Sequence, residues 1–169
     1  MTKNEAMQIA VDSLEYDRET GHLTWIKPVG ARLDFVGKRA GSKYQDGYRY
    51  IRVKGFRLLE HRVIWALSDM PATVQIDHIN GIKDDNRLCN LRMATNSQNS
   101  MNKPKQSNNT SGYKGVTFHK GTGKYHAKIG SKGKNKSLGY FDTAEQAHAA
   151  YVEASSNVHG EFANSGSKG

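Results

Sequence analysis

From Pro104 to Gly112 the chain reads Pro-Lys-Gln-Ser-Asn-Asn-Thr-Ser-Gly, without one apolar side chain. Such a stretch cannot cross a core, because it buries nothing to offset the entropy of ordering it. The 169 residues therefore divide into two pieces, and each must build its own core. Neither core can be large, since hydrophobic residues are 36% of the chain and the mean hydropathy is −0.74. The expected layout is a first domain at 1–103, a linker at 104–110, a second domain at 111–164 and a tail at 165–169.

Periodicity fills in the first piece. Ala6, Ile9, Ala10 and Leu14 mark one face of a short helix over 3–15. Tyr16 to Trp25 reads as strand, turn and strand around Glu19-Thr20-Gly21, and 28–47 as glycine-rich and irregular. Tyr48–Val53 and Phe56–Leu59 flank a Lys54-Gly55 hairpin turn, and Val63, Ile64 and Leu67 give helical spacing over 60–69. Val74–His78 and Leu88–Met93 read as strands on either side of an Asn80-Gly81 turn, with Cys89, alternating with Leu91, as a small core residue. Thr95-Asn-Ser-Gln98 has the form of a capping box opening a helix toward Lys103.

Beyond the linker, Tyr113–His119, Lys124–Gly130 and Lys134–Phe141 alternate as three strands, and Asp142-Thr143 caps a helix bearing Ala144, Ala147, Tyr151 and Ala154. By parity Val116, Phe118, Tyr125, Ala127, Ile129, Leu138 and Tyr140 face that helix. Thr117, His119, Lys124, His126, Lys128, Asn135 and Ser137 then form the opposite, polar face. The fold class is α+β.

Charge narrows the partners. The net charge of +9 and pI near 9.6 point to a polyanion. Residues 101–169 hold ten lysines, no arginine and four carboxylates, so that part suits phosphate contacts more than bidentate guanine readout. A single cysteine excludes an internal disulfide and a cysteine-rich zinc knuckle. With no membrane-length apolar run and no signal-peptide pattern, the expectation is a cytoplasmic protein with no membrane partner.

Within Ile76–Asn102 stand Asp77 and His78, then Asn90 and Asn99, twelve and twenty-one residues past the imidazole. Phosphodiester hydrolysis needs a base for water and a hard, oxygen-liganded cation. His78 supplies the base, Asp77 and Asn99 oxygen donors suited to one Mg²⁺ or Mn²⁺, and Asn90 a carboxamide able to clamp the histidine-bearing loop. No zinc site is expected. Arg62, Arg87 and Arg92 are candidates to neutralise flanking phosphates, and His61 could touch the phosphate or line the site.

The segment from His61-Arg62 through Asp77-His78-Ile-Asn-Gly, Asp85-Asn86-Arg87, Asn90-Leu91-Arg92 and Gln98-Asn99 resembles the HNH nuclease motif of phage homing endonucleases. Tyr16–Trp25 looks like the usual lead-in of these phage proteins. The resemblance implies a ββα-metal core (motif core 60–103), with His78 as base, Asp77 and Asn99 as metal ligands and Asn90 as loop clamp. It also implies a bacterial or phage-infected cell. Ser111–Val116, Gly123–Ile129, Leu138–Ala147 and Ala150-Tyr151 in turn resemble the AP2 DNA-binding domain, whose DNA contacts fall here on Lys114, Thr117, His119, Lys128 and 135–137. Lysine, threonine and histidine stand where that family usually has arginine. The combined expectation is a metal-dependent endonuclease acting on double-stranded DNA, monomeric and nicking one strand. A non-catalytic DNA-binding regulator and a nuclease of RNA are the alternatives.

Overall fold

The computed structural model describes residues 1–30, 34–71, 75–131 and 133–166. It divides into two compact units, Met1–Met93 and Ala94–Gly169. The division falls ahead of the helix that follows Thr95, whereas the expected linker lies at 104–110. Val74, placed in a strand by the sequence, and the last three residues of the tail lie outside the described residues.

In the N-terminal unit, α1 (Lys3–Ser13) opens with a reciprocal capping box between Thr2 and Glu5 and buries Ala6 and Ala10. It runs directly into β1 (Leu14–Asp17), which pairs antiparallel with β2 (His22–Trp25). The Asp17 carboxylate accepts from the Glu19 and Thr20 amides and the Thr20 hydroxyl, fixing the turn between them. Three strands follow in the order β3 (Ser42–Lys43), β4 (Arg49–Val53) and β5 (Phe56–Leu59). Lys54 and Gly55 join the last two with φ of 49° and 87°, as a two-residue primed turn requires. α2 (Glu60–Leu67) then buries Val63, Ile64 and Trp65. These side chains meet Leu14, Leu23, Ile51, Val53, Leu58 and Leu91 in one core.

The unit ends on β6 (Gln75–His78), paired with β7 (Leu91–Ala94) in a two-stranded sheet. The strand expected over 88–93 is shorter, because Leu88–Asn90 forms a 3₁₀ turn closed by Asn90 N–H donating to Arg87 O at 2.8 Å. That turn exposes Cys89, which is therefore not a core residue.

One buried ion pair sits under β4 and α2. Glu60 is fully buried; its Oε2 accepts from Arg49 Nε at 2.7 Å, while Arg49 Nη2 reaches Gly41 O at 2.9 Å. Burial pushes the Glu60 carboxyl up, and the Arg49 and Arg39 guanidiniums pull against that rise.

The C-terminal unit starts with α3 (Asn96–Asn102), again under a capping box, here Thr95 with Gln98. Strands β8 (Val116–His119), β9 (Lys124–Ser131) and β10 (Lys134–Phe141) form an antiparallel sheet with β9 central, and α4 (Ala144–His159) covers one face. Val116, Ala127 and Ala147 form a small core with Tyr113, Tyr125, Leu138 and Phe141 packed on it. Gly115, at φ +77°, lies so close against the Tyr151 ring that no Cβ fits there. The residues expected to link the domains are themselves engaged. Lys105 Nζ donates to Gly112 O at 3.1 Å, and Asn109 Nδ2 to Tyr113 O at 2.9 Å.

The parity expectation fails at Tyr140, while Phe118 keeps the face of Val116. A bulge between Ser137 and Gly139 shifts the register of β10 against β9, so Tyr140 pairs with His126 and turns to the outer face. Its ring stacks on the His126 imidazole at 4.5 Å and 12°. Phe118, at the open edge of β8, is 47% exposed and meets Tyr125 edge-on.

Among the described residues no helix is long and apolar enough to cross a membrane. Arg49→Ala should strand a buried carboxylate and cost about 3–5 kcal/mol, read as a lowered urea midpoint; a midpoint within error of the parent would show that Glu60 is neutralised without Arg49.

Candidate active site

β6 carries Asp77 and His78 side by side, both buried, and successive strand residues point to opposite faces. The loop after them is held by a carboxamide. Asn90 Oδ1 accepts from the Asn80 amide at 3.0 Å, Asn90 Nδ2 donates to Asp85 O at 2.8 Å, and Asn90 O accepts from the Ile79 amide at 2.8 Å. One buried side chain thus ties both ends of the loop. Asn80 adds a turn of its own, its Oδ1 accepting from the Ile82 amide and its Nδ2 donating to Asp85 Oδ2 at 2.7 Å.

The lead-in hairpin supports the same loop from outside. The Tyr16 hydroxyl accepts from the Leu88 amide at 2.9 Å and donates to Asn86 O at 3.4 Å. Gly21, in the turn at φ +74°, lets the chains touch, since a Cβ there would stand 2.6 Å from the Arg87 nitrogen.

His78 is gripped through its ring. Its Nε2 lies 3.0 Å from Oδ1 of Asn86, a residue only 1% exposed. An amide oxygen accepts only, so Nε2 carries the hydrogen, and a neutral imidazole in that tautomer keeps its lone pair on Nδ1. His61 from α2 meets the His78 ring edge-on at 5.0 Å, and Tyr48 tilts against both rings at 5.5 and 5.9 Å. Burial lowers the His78 pKa, opposed by the hydrogen bond to Asn86 and the charge of Asp77. Burial, then the neighbouring His78, takes His61 down to about 3. His61 is thus a neutral packing partner beneath His78, buried to 5% exposure.

Asp77 has a cationic neighbour. Arg92, on β7, donates to Asp77 Oδ2 from Nε at 2.9 Å and from Nη2 at 2.8 Å. Arg87 is likewise held by a carboxylate, forking onto Asp85 at 2.8 and 2.7 Å and holding that carboxyl down to about 2. Two of the three arginines expected to meet phosphates are therefore paired within the unit, while Arg62 is half-exposed on α2.

Among the described residues no group of three or more His, Cys, Asp or Glu gathers as a metal cluster. Carboxylate and carboxamide oxygens of the kind that Asp77 and Asn99 carry suit a hard cation that keeps most of its shell as water and phosphate. Asp77 lies in the N-terminal unit and Asn99, half-exposed on α3, in the C-terminal one.

In the C-terminal unit Thr117, His119, Lys128, Asn135 and Ser137 are exposed on the outer sheet face. Lys124 pairs with Asp142 at 2.9 Å, and His126 Nε2 meets Ser137 Oγ at 2.9 Å. Lys114 is not on that face. Its half-buried ammonium donates to Met101 O at the end of α3 at 2.6 Å, and burial lowers its pKa to about 8. Asn164 Nδ2 binds the neighbouring Asn102 O, also at 2.6 Å, so the last carbonyls of α3 are satisfied from within the unit.

Comparison with known proteins finds a match over the segment that carries these residues. The family model for HNH endonucleases matches residues 59–101. The chain is 33% identical over 106 residues to an uncharacterized HNH endonuclease of Acanthamoeba polyphaga mimivirus, covering 61% of this chain and 54% of that protein. It is 30% identical over 105 residues to protein 3.8 of Escherichia phage T7, covering 61% of this chain and 86% of that one. Residues 59–101 are therefore an HNH endonuclease domain. The chain spans about half the length of the mimivirus relative, and no solved structure matches it.

Two residues at the site were not singled out by sequence reasoning. Asn86 lies within the motif without a role of its own there, and the signal that marks it is a carboxamide eight residues past His78. Tyr48 stood in a strand and carried no motif.

The two depressed histidines set a pH signature. His61 is neutral in the folded chain down to about pH 3, whereas the unfolded chain protonates it below about 6.5. Stability from this group is therefore complete above that value and is lost as pH falls toward 3. His61→Gln should be less stable at pH 7 yet flatter between pH 6 and 4, by up to about 1.4 kcal/mol per pH unit. Urea titrations at several pH values read this, and parallel slopes for the two proteins would refute it.

Proposed function

We propose that this chain is a metal-dependent DNA endonuclease of the phage or mobile-element type, in which His78 is the base. The observation that carries the reading is a buried imidazole fixed by Asn86, next to a carboxylate, inside the segment that matches the family. A base must be held within about 3 Å of the water it deprotonates. The Asn86 bond and the His61 edge give that fixation, and Nδ1 is the atom that takes the proton. The depressed pKa keeps His78 unprotonated at neutral pH, as a base requires.

Asp77 and Asn99 are the proposed oxygen ligands that would hold one Mg²⁺ or Mn²⁺, and such a cation would supply charge neutralisation to the phosphate and its leaving oxygen. Arg92 then holds Asp77 oriented and shares its negative charge. Asn90 acts as a positioning residue, since its bonds fix the loop and touch no reacting atom. The C-terminal unit, with its lysine excess and polar sheet face, serves as the grip on double-stranded DNA, in the manner of an AP2 domain. One candidate base in one chain points to a monomer that nicks one strand at a fixed offset from that grip.

His78→Ala should bind DNA as the parent does and cut it about 10²–10⁴-fold more slowly. Plasmid relaxation in Mg²⁺, abolished by EDTA, measures the rate, and products should carry 5′-phosphate and 3′-hydroxyl ends. Normal cutting by His78→Ala would refute the assigned base. Binding without cutting in either cation would return the chain to the regulator reading.

Asn86→Ala should lower kcat with little change in KM, and should shift the His78 ring-nitrogen signals away from the Nε2–H tautomer in ¹⁵N spectra. Unchanged ring signals would remove Asn86 from the mechanism. Separate end-labelling of the two strands reads the nick, and simultaneous symmetric cleavage at limiting enzyme would overturn the monomer.

A further inference from the structure

A cleft of about 1040 Å³ opens within the C-terminal unit, between α3 with the segment after it and the β9–β10 end of the sheet. Five of its lining residues are lysines: Lys103, Lys105, Lys114, Lys128 and Lys134. No lining residue is acidic, and among the described residues none of the five has a carboxylate partner. Lys105 and Lys114 donate to the backbone at Gly112 O and Met101 O, so part of the charge is built into the walls. Lys103, Lys128 and Lys134 are exposed. Amide and hydroxyl groups complete the wall, Asn96, Ser97 and Ser100 from α3 and Thr110 from the connecting segment.

We infer that this cleft seats the sugar–phosphate backbone of one strand of a DNA duplex, a contact that takes in Thr117, Lys128 and Asn135 from the outer sheet face and extends past them to α3 and the segment after it. Uncompensated lysine charge calls for phosphate, and carboxamide and hydroxyl groups are the usual partners of phosphate and sugar oxygens. The walls also select the form of the nucleic acid. Unpaired strands are held by stacking their bases on accessible aromatic rings. The aromatic side chains lining this cleft are Tyr151, 3% exposed, and His159, 9% exposed with its Nε2 on Gly130 O. Neither offers a ring face, so the bases stay stacked in their duplex and only backbone enters.

A consequence lies in α3 itself. The helix that carries Asn99 is also the wall against which this strand runs, and its C-terminal carbonyls are fastened to the same unit by Lys114 and Asn164. DNA held here lies along a fixed helix rather than a free one.

The inference rests on the reading of this chain as a DNA-acting protein, and one experiment separates the two. Binding is measured in EDTA, so that nothing is cut, against a random-sequence duplex and a single-stranded oligonucleotide of equal length over a range of salt. Parent, Lys103→Ala/Lys134→Ala and a charge-matched Lys3→Ala/Lys27→Ala control are compared. The cleft variant should flatten the slope of log K against log salt on duplex by about 1.8, at roughly 0.9 per phosphate contact, with the control unchanged. Phosphate ethylation interference should lose a patch on one strand only. A parent that binds duplex with a steep slope, and a cleft variant that matches it, would overturn the cleft and leave DNA binding standing. Tighter binding of the single strand through the same lysines would overturn the duplex assignment. A parent with no salt-dependent binding to either probe would overturn the DNA reading together with the cleft.

Discussion

A buried imidazole keeps one orientation only if its ring is gripped, and the N-terminal unit is built around this demand at His78. The strand that presents it ends there, so the following loop must be held by side chains rather than by a sheet ladder. Asn90 ties that loop at both ends, Asn86 reaches back from it to the ring, and Tyr16 with Gly21 brace it from the β1–β2 hairpin. Remove the demand at His78 and there is no reason for a polar loop to carry two carboxamides as buried as these.

The charges around the site follow the same economy of partners. Asp77, Asp85 and Glu60 each hold an arginine at hydrogen-bond distance, and all three pairs close within the N-terminal unit. The larger part of the excess positive charge, +6 of the +9, falls to the C-terminal unit, where four carboxylates cannot cover ten lysine ammonium groups. Fixation and attraction are thus assigned to different parts of one chain, arginine to the first and lysine to the second.

Much of this was legible beforehand because local signals agreed with one another. The capping boxes at Thr2, Thr95 and Thr143 open helices, the first a signal that sequence reading passed over. The Lys54-Gly55 turn closes a hairpin, and alternation past residue 113 gives three strands. What escaped depends on partners distant in sequence or on a single inserted residue. Parity cannot survive a bulge, so Tyr140 was assigned to the wrong face. Charge type does not reveal pairing, so the carboxylates that hold Arg87 and Arg92 could not be read from the sequence. Lys114 stands in a segment that resembles a DNA-binding motif, yet its ammonium serves a helix terminus that only folding brings near. Asn86 lay inside a recognised motif without a role, because nothing in the spacing says which carboxamide faces the ring and which the loop.

The fastening of α3 bears on how such chains are inherited. A recombination event that joined a new C-terminal module at the apolar-free segment, around residue 104, would part α3 from Lys114 and Asn164, leaving two helix-end carbonyls to find new partners. A junction just ahead of Ala94 would carry the helix along with the groups that hold it. Viable chimeras should therefore be joined at the end of β7, and the stretch that looks most like a hinge would be the poorer seam.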